Sequence, residues 1–258
     1  MMLRQSFPRG FRILLAALTM AVFGLAISSA MAADTALKIH MIADGHYDAK
    51  TSLAEFKDYL EKNYHVSCTA SWGGDAGAKH LDNLDELKTA DLLLLFVRRM
   101  NLREPQMAII RAHWEQGKPI VGLRTACHAF QKADNEIIDR QVFGGHYGAG
   151  EASSNGAYRA ATAEGAADHP ILKGVAPFKA NKYYYANGKL ADDVTVLQVF
   201  ESAKYGKLPV TWVHNFKGGR MFYSMTGAAE DFKDENFRTM LVNAIFWTTH
   251  LDPEKVKK

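Results

Sequence analysis

The sequence predicts an α/β fold built around a mainly parallel sheet, and three observations support this prediction. Residues 91–97, "DLLLLFV", form a continuous apolar run of the kind found in a central strand buried on both faces. Strand-like and helix-like segments alternate through the first half of the chain at the spacing of βαβ units. The chain is also long enough for one α/β domain with a substantial hydrophobic core.

The first half of the chain supplies four strands and two helices. The first helix, over 52–64, places Leu53, Phe56 and Leu60 on one face after a Thr51/Ser52 cap. The second helix, over 103–118, has a proline near its start and a glycine just past its end, as helices commonly do. The predicted strands are 37–43, 65–72, 91–97 and 119–123.

The second half is expected to be richer in strands. A glycine- and serine-rich stretch over 141–156 predicts a loop. Gly218 and Gly219 indicate a hairpin between two apolar segments, and the last helix is expected over 237–250. No repeat or linker divides the chain, so we predict one domain. The strand candidates are 158–164, 194–200, 208–216 and 219–225.

Residues 1–32 have the features of a secretory signal peptide. A start with three Arg is followed by an apolar stretch at 13–27 and by an A-x-A cleavage site that ends at Ala32. An uncleaved anchor is the alternative, but the stretch is shorter than the roughly 20 residues that a spanning helix needs. We therefore predict a periplasmic or secreted protein, not held by a membrane after cleavage, whose domain covers 33–258.

The charge of the mature chain excludes two classes of partner. The leader contains three Arg and no acidic residue, so its removal eliminates the formal net charge of +3. A neutral chain offers no basic surface for nucleic acid or for anionic lipid. The expected partner is a small molecule, and homo-oligomer formation stays open.

Cysteines and histidines decide whether disulfides or metals are expected. Cys68 and Cys127 can pair in an oxidising compartment, but they lie on different predicted elements and form no CxxC motif. The sequence predicts no cofactor, with a bound divalent metal as the alternative. Four histidines that come from separate loops, without the local spacing of a metal motif, are His46, His128, His146 and His214.

The candidate site consists of the residues that follow the strands, because ligands of open parallel sheets bind beyond the carboxyl ends of the strands. Acids, bases and fixed cations from separate loops are expected to converge at this edge. In chain order they are Asp44, His46 and Tyr47 after the first strand, Trp72 after the second, Arg98 and Arg99 after the third, Arg124, Thr125, Cys127 and His128 after the fourth, and His146 and Tyr147 in the glycine-rich loop.

Each of these residues also has a structural interpretation. Asp44 is suited to an Asx turn, and Trp72 is suited to the core. Arg98 and Arg99 are equally suited to solvated positions, and a histidine such as His128 in the first turn of a helix is more often a packing or capping group than a base. These alternatives stay open at the level of sequence.

Cys127 has two interpretations of its own. A helix N-terminus with a neighbouring His128 or Arg124 lowers a thiol pKa, which would make Cys127 a nucleophile. A small residue at this position also packs readily against the sheet. Residues adjacent in sequence do not share a helical face, and this favours the structural interpretation.

Four segments of the second half of the chain show a family resemblance, namely "GGHYGAG", "DHPILKGVAPF", "PVTWVHNFKGGRMFYSMTGAAEDF" and "LVNAIFW". They resemble the ThuA-like (trehalose utilisation) family of the class I glutamine amidotransferase-like superfamily. The resemblance extends from about Leu37 to Trp247, and its most specific part is the segment with W-V-H and G-G-R-M-F-Y-S. It implies a flavodoxin-like three-layer sandwich and a role in handling sugars or glycosides. It does not define a reaction.

The amidotransferase chemistry is not retained in this sequence. The nucleophile elbow of that superfamily reads G-x-C-x-G, and alignment with "GLRTACHAF" places Gly122 on the first Gly, Arg124 on the Cys and Ala126 on the second Gly. The H-x-E pair is absent. Ala228 occupies the position where the ThuA-like pattern usually carries a His, with Glu230 nearby. Glutamine hydrolysis is therefore not expected.

The residues of the edge indicate a pocket for a sugar or another polyol. Guanidinium groups are fixed multi-donor groups, carboxylates and imidazoles accept hydrogen bonds, and aromatic rings can lie under the apolar face of a sugar. The predicted substrate-binding set is Trp72, Arg98, Arg99, Thr125, Tyr147, Tyr184, His214 and Glu230, with Tyr183, Tyr185 and Trp212 as further aromatic candidates.

The leading hypothesis is a secreted or periplasmic ThuA-like protein that transforms a carbohydrate, such as a keto-sugar or glycoside, by general acid/base chemistry. One alternative is a non-catalytic sugar- or partner-binding protein, which needs no group that titrates near neutral pH. Another is a thiol enzyme that uses Cys127. In the leading hypothesis the roles are Asp44 or His46 as base, Arg124 and Arg98 as electrophilic anchors, and His128 or His146 as second proton carrier.

Overall fold

A single mixed sheet carries the fold in the part of the chain that the structure describes. The computed structural model describes residues 36–74, 79–150, 156–182, 184 and 187–258, and Ala36–Lys258 forms one compact unit. The order of the strands across the sheet is β2-β1-β3-β4-β9-β8-β7-β5-β6. The strands are β1 (Leu37–Ala43), β2 (Val66–Trp72), β3 (Leu92–Phe96), β4 (Ile120–Leu123), β5 (Tyr158–Thr162), β6 (Phe178–Ala180), β7 (Thr195–Ser202), β8 (Gly206–Phe216) and β9 (Gly219–Ser224).

The sheet divides into a parallel half and an antiparallel half. Strands β2, β1, β3, β4 and β9 pair in parallel, and every residue of β3 is buried, as expected for a central strand. From β9 outward, β8, β7, β5 and β6 all pair antiparallel. The α/β class is confirmed, and the prediction of a mainly parallel sheet is wrong. The reason lies in the connections, because parallel neighbours need long crossovers, and between β5 and β9 the described residues contain no helix longer than the three-residue 3-10 helix Pro170–Leu172.

The β8–β9 hairpin shows how a short connection sets strand direction. Phe216 pairs with Gly219 across the turn, and the two turn residues, Lys217 and Gly218, have φ of 50° and 83°. Two consecutive positive φ angles define the tight turn that matches the twist of antiparallel strands. The predicted hairpin is confirmed, with its turn one residue earlier than the glycine pair.

Helices cover both faces of the parallel half. The crossovers β1–α1–β2 and β3–α2–β4 run in opposite directions across the sheet, and right-handed crossovers therefore place α1 and α2 on opposite faces. On the α1 face, Phe56 contacts Phe232, which in turn packs against Phe237 of α4. The helices are α1 (Ala49–Asn63), α2 (Glu104–Glu115), α3 (Lys132–Glu136), which continues into a π-helix over Ile137–Val142, and α4 (Glu235–Thr248).

Helix α1 begins earlier than the sequence predicts. Its N-cap is Asp48, which like Tyr47 has a φ of 56°, whereas the predicted Thr51/Ser52 cap lies inside the helix and Ser52 is buried. The cap prediction is wrong because a 3-10 turn over His46–Asp48 continues directly into the helix.

Several predictions fall outside the described residues. These are the leader and its cleavage site, part of the glycine-rich loop, and the side chains of Tyr183 and Tyr185. Among the residues that are described, no helix combines the length and the apolar character needed to cross a membrane.

Candidate functional site

The carboxyl ends of the parallel strands meet at one edge of the sheet. Ala43 at the end of β1 pairs with Phe96 at the end of β3, and Leu123 at the end of β4 pairs with Ser224 at the end of β9. Backbone hydrogen bonds also join the loops, since the Arg99 N–H donates to the His128 carbonyl at 2.9 Å. The structure thus brings together the segments that follow β1, β3 and β4.

Asp44 connects two of these loops. Its side chain is buried, Oδ1 accepts the His46 backbone N–H at 2.9 Å, and Oδ2 accepts the Arg98 backbone N–H at 2.7 Å. Charge-assisted bonds of this kind hold a carboxylate firmly in place. Because both oxygens are engaged, the geometry favours a positioning role for Asp44 over the role of a base that takes a proton from substrate.

His46 lies directly in front of Asp44. Its Nδ1 is 3.0 Å from Asp44 Oδ1, although the ring is not aligned for an N–H hydrogen bond, and the imidazole is partly exposed. A buried carboxylate behind a partly exposed imidazole is the arrangement that orients a histidine for proton transfer. Among the sequence candidates, His46 therefore has the surroundings expected of a base.

Arg124 occupies the sharp turn between β4 and the 3-10 segment Arg124–His128. Its φ of 46° is unfavourable for a residue with a Cβ, and strained strand-to-helix turns of this kind carry the nucleophile in elbow-type hydrolases. The guanidinium is buried and lies 4.8 Å from the centre of the Tyr47 ring. Two residues before Arg124, Gly122 has no room for a side chain, because a Cβ there would lie 2.4 Å from the Phe143 ring. The backbone therefore has the sharp strand-to-helix turn of a nucleophile elbow, and the Arg124 side chain occupies the position at the tip of this turn.

Cys127 is a packed core residue in the structure. It is fully buried, its thiol lies 3.5 Å from the Arg124 carbonyl oxygen, and burial raises its pKa. The other cysteine, Cys68, is also buried, with its pKa raised to about 12 by burial, and both thiols are free. A buried thiol with a raised pKa is a poor nucleophile, so the geometry supports the structural interpretation of Cys127.

Both thiols of the native protein are expected to resist alkylation at neutral pH. Because reaction requires an exposed thiolate, iodoacetamide should label the native chain more than about 100-fold more slowly than the chain in concentrated guanidinium chloride. Intact-mass spectrometry over time measures this directly. Rapid incorporation of one label at Cys127 in the native protein would contradict the assignment and revive the thiol-enzyme hypothesis.

His128 forms an aromatic stack at the centre of the edge. Its ring lies 4.1 Å from the ring of Tyr147 with an interplanar angle of 18°. Burial first, and then the positive charges of Arg99, Arg98 and Arg124, lower its pKa to about 3. The imidazole is therefore expected to be neutral at physiological pH, and so low a pKa does not favour His128 as a proton carrier.

Asp139 is a buried carboxyl group that the sequence analysis missed. It lies in the π-helix, a rare element that is frequent at functional sites. Its Oδ2 accepts the Tyr147 N–H at 2.9 Å, and its backbone carbonyl accepts the Gly145 N–H at 2.7 Å. Burial raises its pKa to about 7. Asp139 thereby fixes the loop that carries Tyr147, and only the π-helix, which has no clear sequence signal, brings it there.

Three of the predicted substrate-binding residues have structural partners outside the loops that follow β1, β3 and β4. Tyr184 is buried in the antiparallel half, where its hydroxyl donates to the Pro209 carbonyl at 3.1 Å. His214 is held by the Val142 carbonyl at 2.9 Å and by Asp193 at 3.1 Å. Glu230 is exposed and lies 3.8 Å from Lys182. In each case a local structural partner accounts for the side chain.

The remaining candidates lie at or near the edge with structural contacts of their own. Trp72, at the end of β2, is half-buried against the core, and Trp212 is fully buried with its N–H on the Phe143 carbonyl at 2.7 Å. His146 is partly exposed, and its Nε2 contacts Arg140. Thr125 is buried, and its hydroxyl has no hydrogen-bond partner within the described part of the chain.

The four histidines proposed as alternative metal ligands do not form a centre in the described residues. Within residues 36–258, apart from the undescribed gaps, no three His, Cys, Asp or Glu side chains converge in a way that could hold a metal ion. His214 and His146 are each engaged with protein groups.

A groove of about 820 Å³ on the outer side of α4 lies away from this edge. Two of its polar side chains, those of Asn243 and Arg220, are hydrogen-bonded within the protein. Asn243 donates to the carbonyls of Ile171 and Lys173, and Arg220 donates to the Trp247 carbonyl. The Trp247 ring has Arg220 at 4.4 Å on its face and the His169 ring at 5.0 Å. We therefore place the candidate site at the sheet edge.

Comparison with known proteins agrees with the fold. The family model described as "ThuA: Trehalose utilisation" matches residues 38–248. Among solved structures, a putative ThuA-like protein from Bacteroides uniformis has 18% identity and a TM-score of 0.63, covering 87% of this chain and 95% of its own. A putative ThuA-like protein from Parabacteroides merdae has 16% identity and a TM-score of 0.62, covering 83% and 90%.

A more distant likeness extends to part of a larger protein. The cold-adapted β-galactosidase from Rahnella sp. R3 has 15% identity and a TM-score of 0.56 over 84% of this chain, which corresponds to 32% of the galactosidase chain. No curated protein sequence matches the chain. At these levels of sequence identity, the structural similarity shows a shared fold and nothing more.

Proposed function

This chain belongs to the ThuA (trehalose utilisation) family of the glutamine amidotransferase-like superfamily, and from that premise we propose that it binds a carbohydrate at the carboxyl edge of β1, β3 and β4 and transforms it by general acid/base chemistry. The ligand class comes from the family description, and the position comes from the convergence of polar loops at this edge. A keto-sugar or a glycoside is the substrate class that we favour.

The observation that carries the catalytic part of the proposal is the pairing of His46 with Asp44. The partly exposed imidazole lies 3.0 Å from a carboxylate that two backbone N–H groups hold in place. With Nδ1–H directed at Asp44 Oδ1, Nε2 is the nitrogen that would take a proton from a sugar hydroxyl. In this arrangement His46 is the base and Asp44 its positioning residue.

The arginines of the edge supply the electrophilic anchor. Arg124 is held in one orientation by its turn and by the Tyr47 ring, and a guanidinium in a fixed orientation polarises a carbonyl or hydroxyl oxygen with directed N–H donors. His146, partly exposed and in contact with Arg140, is the better candidate for the second proton carrier, because the pKa of His128 is lowered to about 3.

Glutaminase activity is not part of the proposed function. Arg124 stands where the amidotransferase elbow carries its thiol, and the nearby Cys127 is buried with a raised pKa. We also propose that the protein works in the periplasm or outside the cell, on the basis of the leader-like residues 1–32.

The His46→Gln variant tests the proposal. It is expected to keep sugar binding and to lose about 10²- to 10⁴-fold in turnover, because it removes the base and retains the side chain's polarity. Binding is measured by thermal shift with disaccharides and 3-keto sugars, with and without EDTA, since a ligand at a hundredfold excess over its dissociation constant stabilises by about 2.7 kcal/mol. Turnover is then followed by product analysis.

The matched control is His65→Gln, a substitution of an exposed histidine before β2 at the opposite end of the parallel strands. It should change neither sugar binding nor turnover.

Sugar binding without turnover in the wild type, unaffected by His46→Gln, would support the second candidate function, a non-catalytic sugar-binding protein. The neutral state of His128 at this edge is the observation that favours that alternative. Absence of binding with every sugar would overturn the proposal.

A further inference from the structure

The π-helix that follows α3 holds the loop that carries Tyr147 through three contacts. The Gly145 N–H donates to the Asp139 carbonyl at 2.7 Å, and the Tyr147 N–H donates to Oδ2 of the Asp139 side chain at 2.9 Å. Between these two bonds, Nε2 of His146 contacts the Arg140 guanidinium. Three consecutive residues of the loop are therefore held by one turn of helix, and Asp139 makes two of the three contacts.

The carboxyl group of Asp139 and the backbone of this loop are closely packed. A Cβ at Gly145 would lie 2.5 Å from Asp139 Oδ1, so only glycine leaves room for the carboxyl group there. On the helix side, the Phe143 N–H donates to the carbonyl of Ile138, five residues earlier, at 3.0 Å, which is the π-helical pattern. Helix and loop together therefore fix the orientation of the carboxyl group.

Tyr147 connects Asp139 to the candidate site. Its ring lies 4.1 Å from the His128 ring at an interplanar angle of 18°, and the His128 carbonyl accepts the Arg99 N–H at 2.9 Å. Direct contacts thus lead from Asp139 through Tyr147 and His128 to the loop after β3. The Tyr147 ring is only partly buried, and an aromatic ring held at this edge offers the kind of apolar surface on which a sugar ring packs.

A carboxyl group at this position lowers stability at neutral pH, which a purely structural contact would not require. Asp139 is 5% exposed, and its Oδ1 has no hydrogen-bond partner among the described residues. Burial raises its pKa to about 7, against the opposing effect of Arg140 and with a small contribution from Glu136, and Cys127 faces it from the segment after β4. Buried titratable groups of this kind are frequent at functional sites.

We propose that Asp139 is a positioning residue for ligand binding, because it sets the Tyr147 ring against His128 and this ring forms the surface on which the sugar packs. The inference rests on the proposed function and adds to its site a residue that acts on the ligand only through Tyr147. A ring that is already held in place loses little conformational freedom when the ligand binds, so affinity depends on a bond that the ligand does not touch.

A double-mutant cycle tests whether Asp139 acts through Tyr147. Binding of trehalose and of its 3-keto derivative is measured by calorimetry for the wild type, Asp139→Ala, Tyr147→Ala and the double variant. Each single substitution is expected to weaken binding by about tenfold or more, and the double variant should bind within about twofold of Tyr147→Ala. Additive losses, of about a hundredfold in the double variant, would overturn the inference.

Two further variants approach the same contact in other ways. Asp139→Asn keeps an acceptor for the Tyr147 N–H and should bind within about threefold of the wild type, whereas an asparagine variant as weak as the alanine variant would contradict positioning by this acceptor. Gly145→Ala places a Cβ against the carboxyl group and should match Asp139→Ala, which keeps the inference testable if Asp139→Ala does not fold. Asp134→Ala is the control, since this carboxylate of α3 bonds to Arg111 of α2, and it should not change binding.

The His128 ring provides a readout that needs no ligand. The NMR signal of its Cε1–H group is assigned by its loss in His128→Gln, and a stacked aromatic ring shifts the resonance of its neighbour. Asp139→Ala should therefore move this signal towards its position in Tyr147→Ala, and Asp139→Asn should leave it close to its wild-type position.

The outcomes separate this inference from the proposed function. Sugars that bind Asp139→Ala or Tyr147→Ala as tightly as the wild type would overturn the inference, whatever the His128 signal shows, and leave the proposed function standing. Weakened binding with an unmoved His128 signal would also overturn it, because the effect would not pass through the stacked rings. If neither sugar binds any of these proteins, the proposed function fails and the inference fails with it.

Discussion

Replacing Asp231 by alanine is expected to destabilise the protein by about 3–5 kcal/mol, one of the largest effects of any single substitution in this chain. Asp231 is fully buried. Its carboxylate accepts the N–H groups of Gly227, Ala228 and Asn181 at 2.8, 2.9 and 3.0 Å, and the Asn181 side chain at 2.7 Å. Alanine would leave the backbone N–H groups of Gly227, Ala228 and Asn181 without this partner, whereas the Asn181 side chain also donates to the Lys179 carbonyl at 3.2 Å. Each unpaired buried donor costs about 1–3 kcal/mol unless water enters.

Urea denaturation of the two proteins measures the loss, and the melting temperature should fall by roughly 10 °C. Glu230→Ala is the matched control, because Glu230 is the neighbouring carboxylate, is exposed, and lies 3.8 Å from Lys182 at the surface. It should change the free energy of unfolding by less than about 0.5 kcal/mol. Equal effects of the two substitutions would show that the Asp231 bonds do not anchor the loop after β9.

Acidification from pH 7 to pH 4 is expected to lower the free energy of unfolding substantially. Burial is the main cause that lowers the pKa values of His40 and His113 to about 4 and of His128 to about 3. Below the unfolded value of 6.5 the unfolded chain binds protons that the folded chain does not, so stability is lost as pH falls towards the folded pKa values. Each histidine accounts for at most about 3 kcal/mol.

Asp139 opposes this trend. Because its pKa is raised from 3.8 to about 7, its contribution to stability is complete below 3.8 and is lost as pH rises through 7. Near pH 5 the three histidines take up protons on unfolding and Asp139 releases one. The net uptake is therefore about two protons from these four groups.

The slope of unfolding free energy against pH measures this uptake. His40→Asn should reduce the slope between pH 6.5 and 4 by about one proton, whatever it does to the absolute stability, and His113→Gln provides an independent second variant. His80→Asn, a substitution of an exposed histidine, should leave the slope unchanged. A slope that is the same in all four proteins would contradict the assignment of His40 and His113 as neutral buried groups.

Much of the fold follows from patterns that lie within a few residues of each other. The apolar run before Arg98 predicts β3, and the segment 103–118 predicts a helix that the structure places at Glu104–Glu115. The same local rule, that residues after parallel strands share one edge, brings Asp44, His46 and Arg124 together in the structure.

The roles of individual acidic and aromatic residues could not be predicted in this way. Glu230 and Asp231 are neighbours in the sequence, and only the partners that Asp231 meets distinguish them. Tyr184 is an aromatic residue of the type that binds sugars, but it packs against Tyr158 and Phe200 in the core. Asp139 was missed because the π-helix that buries it has no clear sequence signal.

The sequence by itself determined the α/β class, the edge at which polar loops gather, the loss of the thiol at the elbow and the family to which the chain belongs. The tertiary structure decided the antiparallel direction of the outer strands, the burial of Cys127 and Asp139, and the neutral state of His128. The physical reason is the distance along the sequence over which each effect acts. Periodicity and turn chemistry act between near neighbours, whereas burial and charge depend on groups such as Asn181 and Asp231, which are 50 positions apart.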